Sequence, residues 1–125
     1  MGDHMDSWPD ALQNYFKMWN ETDPDLMRSF LDKAVAPDCI WIDPQNSHIG
    51  RDGLEKNVKH FRANFPDATL NICSDVDSHH GLYRYNWEIK TGDKLLIEGF
   101  DVSVLNEAGL IEKVYGFFGR LKPVE

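Results

Sequence analysis

The apolar residues of this chain change their spacing once, near residue 68, and that change limits its fold more than any other feature. Before it, Trp8, Leu12, Tyr15, Phe16 and Trp19 fall at i, i+4, i+7, i+8 and i+11, the stripe of an amphipathic helix. The spacing predicts a helix over about 7–21, with Ser7 as N-cap and Pro9 in the first turn, where a missing N–H costs nothing. Asp23-Pro24 predicts the cap of a second helix with Leu26, Phe30 and Ala34 on one face, and Pro37 closes the run that follows. Cys39-Ile40-Trp41-Ile42 reads as a short strand ending at the Asp43-Pro44 turn. A third helix starts after Gly50; Leu54, Val58, Phe61 and Phe65 are its buried stripe and Pro66 its stop.

Beyond residue 68 the period becomes two. Tyr83, Tyr85, Trp87 and Ile89 alternate with Leu82, Arg84, Asn86 and Glu88, as in a strand with one buried face. Turn signals at Thr91-Gly92-Asp93 and Asn106-Glu107-Ala108-Gly109 join the segments 81–90, 94–105 and 110–121 as successive hairpins, so the sheet is expected to be antiparallel. The predicted order is α-α-β-α-β-β-β-β. Three N-terminal helices followed by a meander make an α+β fold in which the helices cover one face of a curved sheet.

Composition narrows the partners. The 125 residues suffice for one domain with its own core. A net charge of −8, without clustered Lys or Arg, argues against nucleic acid and anionic membranes. No apolar run approaches a membrane span and no export signal is visible, so a cytoplasmic protein is expected. Residues 1–4 resemble a cloning scar, which leaves 5–125 as a single domain. Cys39 and Cys73 are expected to be reduced and buried, and the Asn20-Glu21-Thr22 sequon accidental. His79 and His80, adjacent in a strand, should point to opposite faces, and no third ligand lies at zinc-like spacing. No phosphate-binding loop or nucleophile elbow occurs, so no metal or cofactor is expected.

The element order, Ile42-Asp43-Pro44 followed by Gly50-Arg51, and Phe100-Asp101 leading through Asn106-Glu107-Ala108-Gly109 to Tyr115-Gly116-Phe117-Phe118-Gly119 resemble the nuclear transport factor 2-like superfamily. The resemblance is closest to its SnoaL-like and ketosteroid-isomerase branch, and spans essentially all of 7–121. It implies a cone-shaped α+β barrel, a deep and mostly apolar pocket between sheet and helices, and a homodimer formed through the sheet. It also implies roles for three residues: Asp43 as general base, Tyr15 as an oxyanion-hole phenol and Asp101 as a protonated oxyanion-hole acid.

The residues give these roles a physical rationale. Removing a proton next to a carbonyl creates an enolate, which needs a base on one side and donors where charge develops on oxygen. Asp101 sits in an alternating strand among Ile97, Gly99, Ser103 and Leu105, an apolar setting that raises a carboxyl pKa and makes it a donor. Trp19, Tyr83, Tyr85, Trp87, Val114 and Phe118 are the expected pocket walls, and the bulk of Trp19, Trp41 and Trp87 favours a small substrate. Asn57, Val58 and Phe61 stand where the isomerases tend to place a further Tyr. An Asp–His dyad using His79 or His80 with Asp23 or Asp43 is the weaker chemical alternative.

The expectation is therefore a cofactor-independent enzyme that moves a proton on a small hydrophobic carbonyl compound, as an isomerase or a lyase or cyclase. The alternative is a non-catalytic module that binds a small ligand or dimerises.

Overall fold

The computed structural model describes residues 7–124, so the expected cloning scar lies outside the described residues. The chain forms α1 (Asp10–Asn20), α2 (Pro24–Ala34), β1 (Val35–Ile42), β2 (Ser47–Ile49), α3 (Arg51–Asn64), β3 (Ala68–Ile72), β4 (Asp77–His79), β5 (Leu82–Thr91), β6 (Lys94–Leu105) and β7 (Ile111–Phe118). The seven strands form one curved, unclosed sheet in the order β2-β1-β7-β6-β5-β3, with β4 also paired to β5. The three helices and this sheet fit a cone-shaped α+β fold.

Two features of the sheet differ from the expectation. It is mixed, because β1 pairs parallel to β7 while every other pairing is antiparallel. That contact joins the two halves of the chain, so no hairpin signal could announce it. The short strands β2 and β4 are additional; each is three residues long, too short to show a period.

Local chemistry explains most boundaries. Asp23 caps α2 by accepting from the backbone N–H groups of Asp25 (2.8 Å) and Leu26 (3.3 Å). Arg51 satisfies the far end of the same helix, donating to the carbonyl oxygens of Asp32 (3.1 Å) and Val35 (2.7 Å). Gly50 turns the chain into α3 at φ +91°, a conformation that favours glycine. Arg28 then ties α2 to α3 through Asp52 and Glu55. At the end of α1 the Asn20 carboxamide exchanges hydrogen bonds with both backbone groups of Leu70, holding β3 against the helix.

Several readings shift by a residue or two. Helix α1 begins at Asp10 with Pro9 in the capping position, and Ser7 lies ahead of it. Its stripe is as expected, with Leu12, Tyr15 and Phe16 buried. On α2 the buried stripe is Met27, Leu31 and Ala34, whereas Leu26 is 50% exposed, because α2 meets its neighbours one position further round. Pro37 lies inside β1, at the register shift between Val35 and Ile40, where its missing N–H breaks no ladder bond. On α3 only Leu54 and Val58 are fully buried, and Phe65 is half-exposed past the helix end. Both cysteines are free, with Cys39 buried but Cys73 exposed. The rings of His79 and His80 meet, Nδ1 to Nδ1 at 3.0 Å, because His80 leaves the strand at φ +49° instead of continuing its alternation. Among the described residues no helix is long and apolar enough to cross a membrane.

The core lies between the inner face of the sheet and the helices. Phe16 of α1 packs edge-on against Tyr85 of β5, ring centroids 5.1 Å apart, and Trp87 lies opposite Gly99 in the β5–β6 pair. A methyl group at Gly99 would strike the Phe117 carbonyl and come within 2.6 Å of the Trp87 ring. Gly99→Ala is expected to cost about 2–3 kcal/mol, against about 1 kcal/mol for Asp23→Ala. Urea denaturation of the two variants checks both the sizes and their order.

Candidate active site

Asp43 and Asp101 arrive at one place from opposite ends of the chain. Asp101 lies on the inner face of β6 and pairs with Gly116 of β7, while Ile42, the last residue of β1, pairs with Tyr115. Gly116 therefore stands between the two carboxyl groups. A Cβ there would lie 2.9 Å from Asp101 Oδ1 and 3.4 Å from Asp43 Cβ. Only a residue without a side chain lets the two come so close.

Asp101 is buried at 8% exposure. Its Oδ1 accepts from Trp87 Nε1 at 2.9 Å, and Tyr85, whose hydroxyl is 2.7 Å from Ser103 Oγ, pairs with it across the β5–β6 ladder. Burial pushes the Asp101 carboxyl up to about 7; the Trp87 indole and the Tyr85 hydroxyl pull it down, and the neighbouring Asp43 charge adds to the rise. The group is poised to carry a proton near neutral pH.

Asp43 is held differently. Its Oδ1 accepts from the backbone N–H groups of Gln45 and Asn46, both at 2.8 Å, and its own N–H donates to the Asn46 carbonyl. The residue is thus a turn-capping aspartate and half-buried. Its Oδ2 makes no hydrogen bond to any described residue.

Both carboxyls line a cavity of about 610 Å³, inside the usual range for small-molecule sites. Trp19, Trp41, Phe61, Trp87 and Phe118 supply its aromatic walls. Trp19 contacts Trp41 and Phe61 at centroid distances of 6.0 and 5.7 Å, and Phe118 meets Trp87 edge-on at 6.0 Å. Even with three indoles facing it, the space is not restricted to very small molecules.

Of the residues singled out in the sequence, Trp19, Asp43, Trp87, Asp101 and Phe118 line this cavity. Tyr15, Tyr83, Tyr85 and Val114 do not. Tyr85 stands behind Asp101 as its partner across the β5–β6 ladder, and Val114 is fully buried core. The Tyr15 hydroxyl accepts from Trp41 Nε1 at 2.7 Å, and its ring meets Trp19 edge-on at 6.3 Å; burial raises its pKa well above the usual phenol value. His79 and His80 are exposed on the β4–β5 hairpin and also lie outside the cavity.

The sequence marks Asn57 only through the family resemblance; the polar stripe of α3 that lines the cavity, Asn57, His60 and Asn64 with Phe61, is seen only in the structure. Their spacing of i, i+3, i+4 and i+7 is as regular as that of the core stripe. Being polar, it looked like a solvated face.

The Asp101 carboxyl has a consequence for stability. Unfolded, an aspartate releases its proton near pH 4; folded, Asp101 keeps it to about 7. Between those values the folded chain binds more protons, so this group's contribution to stability is full below about pH 4 and is lost as the pH rises through about 7. Relative to Asp101→Asn, the wild type should lose on the order of 2 kcal/mol between pH 5 and pH 8. Urea denaturation of both proteins at the two pH values measures it.

The chain matches the model of the SnoaL-like domain over residues 12–114. No curated protein matches it. Among solved structures it is similar to a candidate isomerase of the SnoaL-like family from Agrobacterium tumefaciens, with 28% identity, 88% of this chain and 95% of that one covered, and a TM-score of 0.82. It shares its fold with a candidate polyketide cyclase from Sinorhizobium meliloti, at 14% identity, 92% and 99% coverage and a TM-score of 0.72. An NTF2-like protein of unknown function from Exiguobacterium is similar at 15% identity, 89% and 99% coverage and the same TM-score. The chain belongs to the SnoaL-like domain family.

Proposed function

We propose that the protein is an enzyme that transfers a proton on a hydrophobic carbonyl compound through an enolate, without a cofactor. The observation that carries this reading is the pair of unlike carboxyls in one cavity: Asp43 with a free oxygen at its edge, and Asp101 buried and poised to hold a proton. Asp43 Oδ2 takes the proton from the carbon next to the carbonyl, and the electron pair moves onto the carbonyl oxygen. Protonated Asp101 donates a hydrogen bond to that oxygen as its charge develops. Asp43 then returns the proton to the same or a conjugated carbon, which completes an exchange or an isomerisation. The resemblance to a candidate isomerase supports this class of reaction.

Tyr15 has an indirect part in this scheme. It keeps the indoles of Trp41 and Trp19 in place, so that their rings form flat apolar walls. The homodimer is also a proposal, supported by the outer face of the sheet, where Phe117 is 52% exposed and stacks on Phe100 at 5.0 Å.

One observation favours a second reading, a ligand-binding module without chemistry: Asp43 already has the ordinary task of capping a turn. The two readings differ in one experiment. The α-protons of 2-tetralone are followed by proton NMR in heavy water, with wild type and Asp43→Asn. Enzymatic exchange should exceed the buffer rate and fall about 10²- to 10⁴-fold in the variant. Exchange that survives in Asp43→Asn overturns the assignment of the base, and a wild type no faster than buffer favours the binding module.

A further inference from the structure

In the proposed reaction Asp101 supplies one hydrogen bond to the substrate's oxygen, and Tyr15, which the family resemblance offers as a second donor, does not line the cavity. Two of the three indoles that line it do not supply one either: Trp87 directs its N–H to Asp101 and Trp41 directs its N–H to the Tyr15 hydroxyl, while Trp19 packs edge-on against the Tyr15 ring at 6.3 Å. Asn57 of α3 is half-buried and lines the cavity, and its carboxamide makes no hydrogen bond to any described residue. An amide with two donors and an acceptor, half-withdrawn from water and unpaired within the chain, is a group left for a ligand. Its neighbours on the stripe are otherwise engaged: Asn64 Nδ2 donates to the His60 carbonyl at 2.8 Å and lies 3.2 Å from His60 Nε2.

The charge of the lining decides what kind of oxygen Asn57 meets. Every Lys and Arg of the chain lies within residues 7–124, and none of them lines this cavity, whereas two carboxyl groups do. A carboxylate or phosphate entering here would meet negative charge with no Lys or Arg to offset it. A neutral carbonyl or hydroxyl meets an amide donor and aromatic walls.

We propose that Asn57 is the cavity's second anchor for a substrate oxygen, taking an uncharged carbonyl or hydroxyl group, and that the site discriminates against anionic ligands. This deepens the proton-transfer reading by naming a substrate-contacting residue and a charge class, and it rests on that reading only for the reaction.

Binding of 2-tetralone and of 2-naphthoate, a two-ring molecule that carries a carboxylate, is measured by quenching of tryptophan fluorescence. The wild type should bind the ketone at least about tenfold more tightly than the anion. Asn57→Leu should raise the ketone Kd about five- to tenfold, the worth of one hydrogen bond, and Tyr15→Phe should raise it less. Asn57→Asp, nearly isosteric but without the N–H donors, should lose as much as Asn57→Leu, so the test survives if the leucine variant does not fold. The proposal is overturned if both Asn57 variants bind the ketone like wild type, if Tyr15→Phe costs as much as they do, or if 2-naphthoate binds as tightly as 2-tetralone. Ketone binding that depends on Asn57, with no α-proton exchange above buffer, retires the proton-transfer reading and keeps the anchor. Exchange that depends on Asp43, with binding indifferent to Asn57, does the opposite.

Discussion

A carboxyl group sits on the inner face of β6 where a sheet ordinarily carries an apolar side chain, and the neighbouring strands are built around it. An ionised carboxylate is costly in such surroundings, so Asp101 is tolerated as a hydrogen-bonded group that keeps its proton to about neutral pH. Trp87 reaches it from β5 because Gly99, opposite, leaves room for the indole. Gly116 of β7 leaves room on the other side. Side-chain size on three strands is thereby linked: large at Trp87, absent at Gly99, a carboxyl at Asp101, absent at Gly116. The end of β1 can then bring Asp43 alongside, and the two carboxyls share one cavity because both glycines are small.

The parts of this arrangement that were legible in the sequence are those encoded locally. Alternation from Tyr83 to Ile89 marked the inner face of β5, Asp23-Pro24 marked a helix start, and Gly50 marked the start of α3, where the structure shows its positive φ. Asp43, Trp19, Trp87, Asp101 and Phe118 were picked out before their shared cavity could be seen. What stayed hidden depends on contacts between distant segments. The parallel pairing of β1 with β7 has no local signature, and neither does the choice of Met27 over Leu26 as the buried residue of α2, which is settled by what α2 packs against. The stripe containing Asn57 was hidden by its polarity: a polar helical face reads as solvated unless the opposing wall is known.

Capping a turn and taking up a proton are compatible tasks for Asp43, and the reason lies in the shape of a carboxylate. It has two oxygens; the turn engages Oδ1 with two backbone amides and leaves Oδ2 without a partner among the described residues. Capping the turn therefore fixes the orientation of the group without using up its capacity to accept a proton. The same economy governs the tryptophans, in the opposite sense. The N–H groups of Trp87 and Trp41 are committed to Asp101 and Tyr15, so their large rings face the cavity as apolar surface. A ligand is then held over most of its area by shape alone, and its orientation depends on the few polar groups that remain. In a site of that kind the loss of one hydrogen bond leaves a desolvated group unpaired, so in the proposed reaction discrimination between similar ligands would rest on Asp101, Asp43 and the polar face of α3 rather than on the aromatic walls.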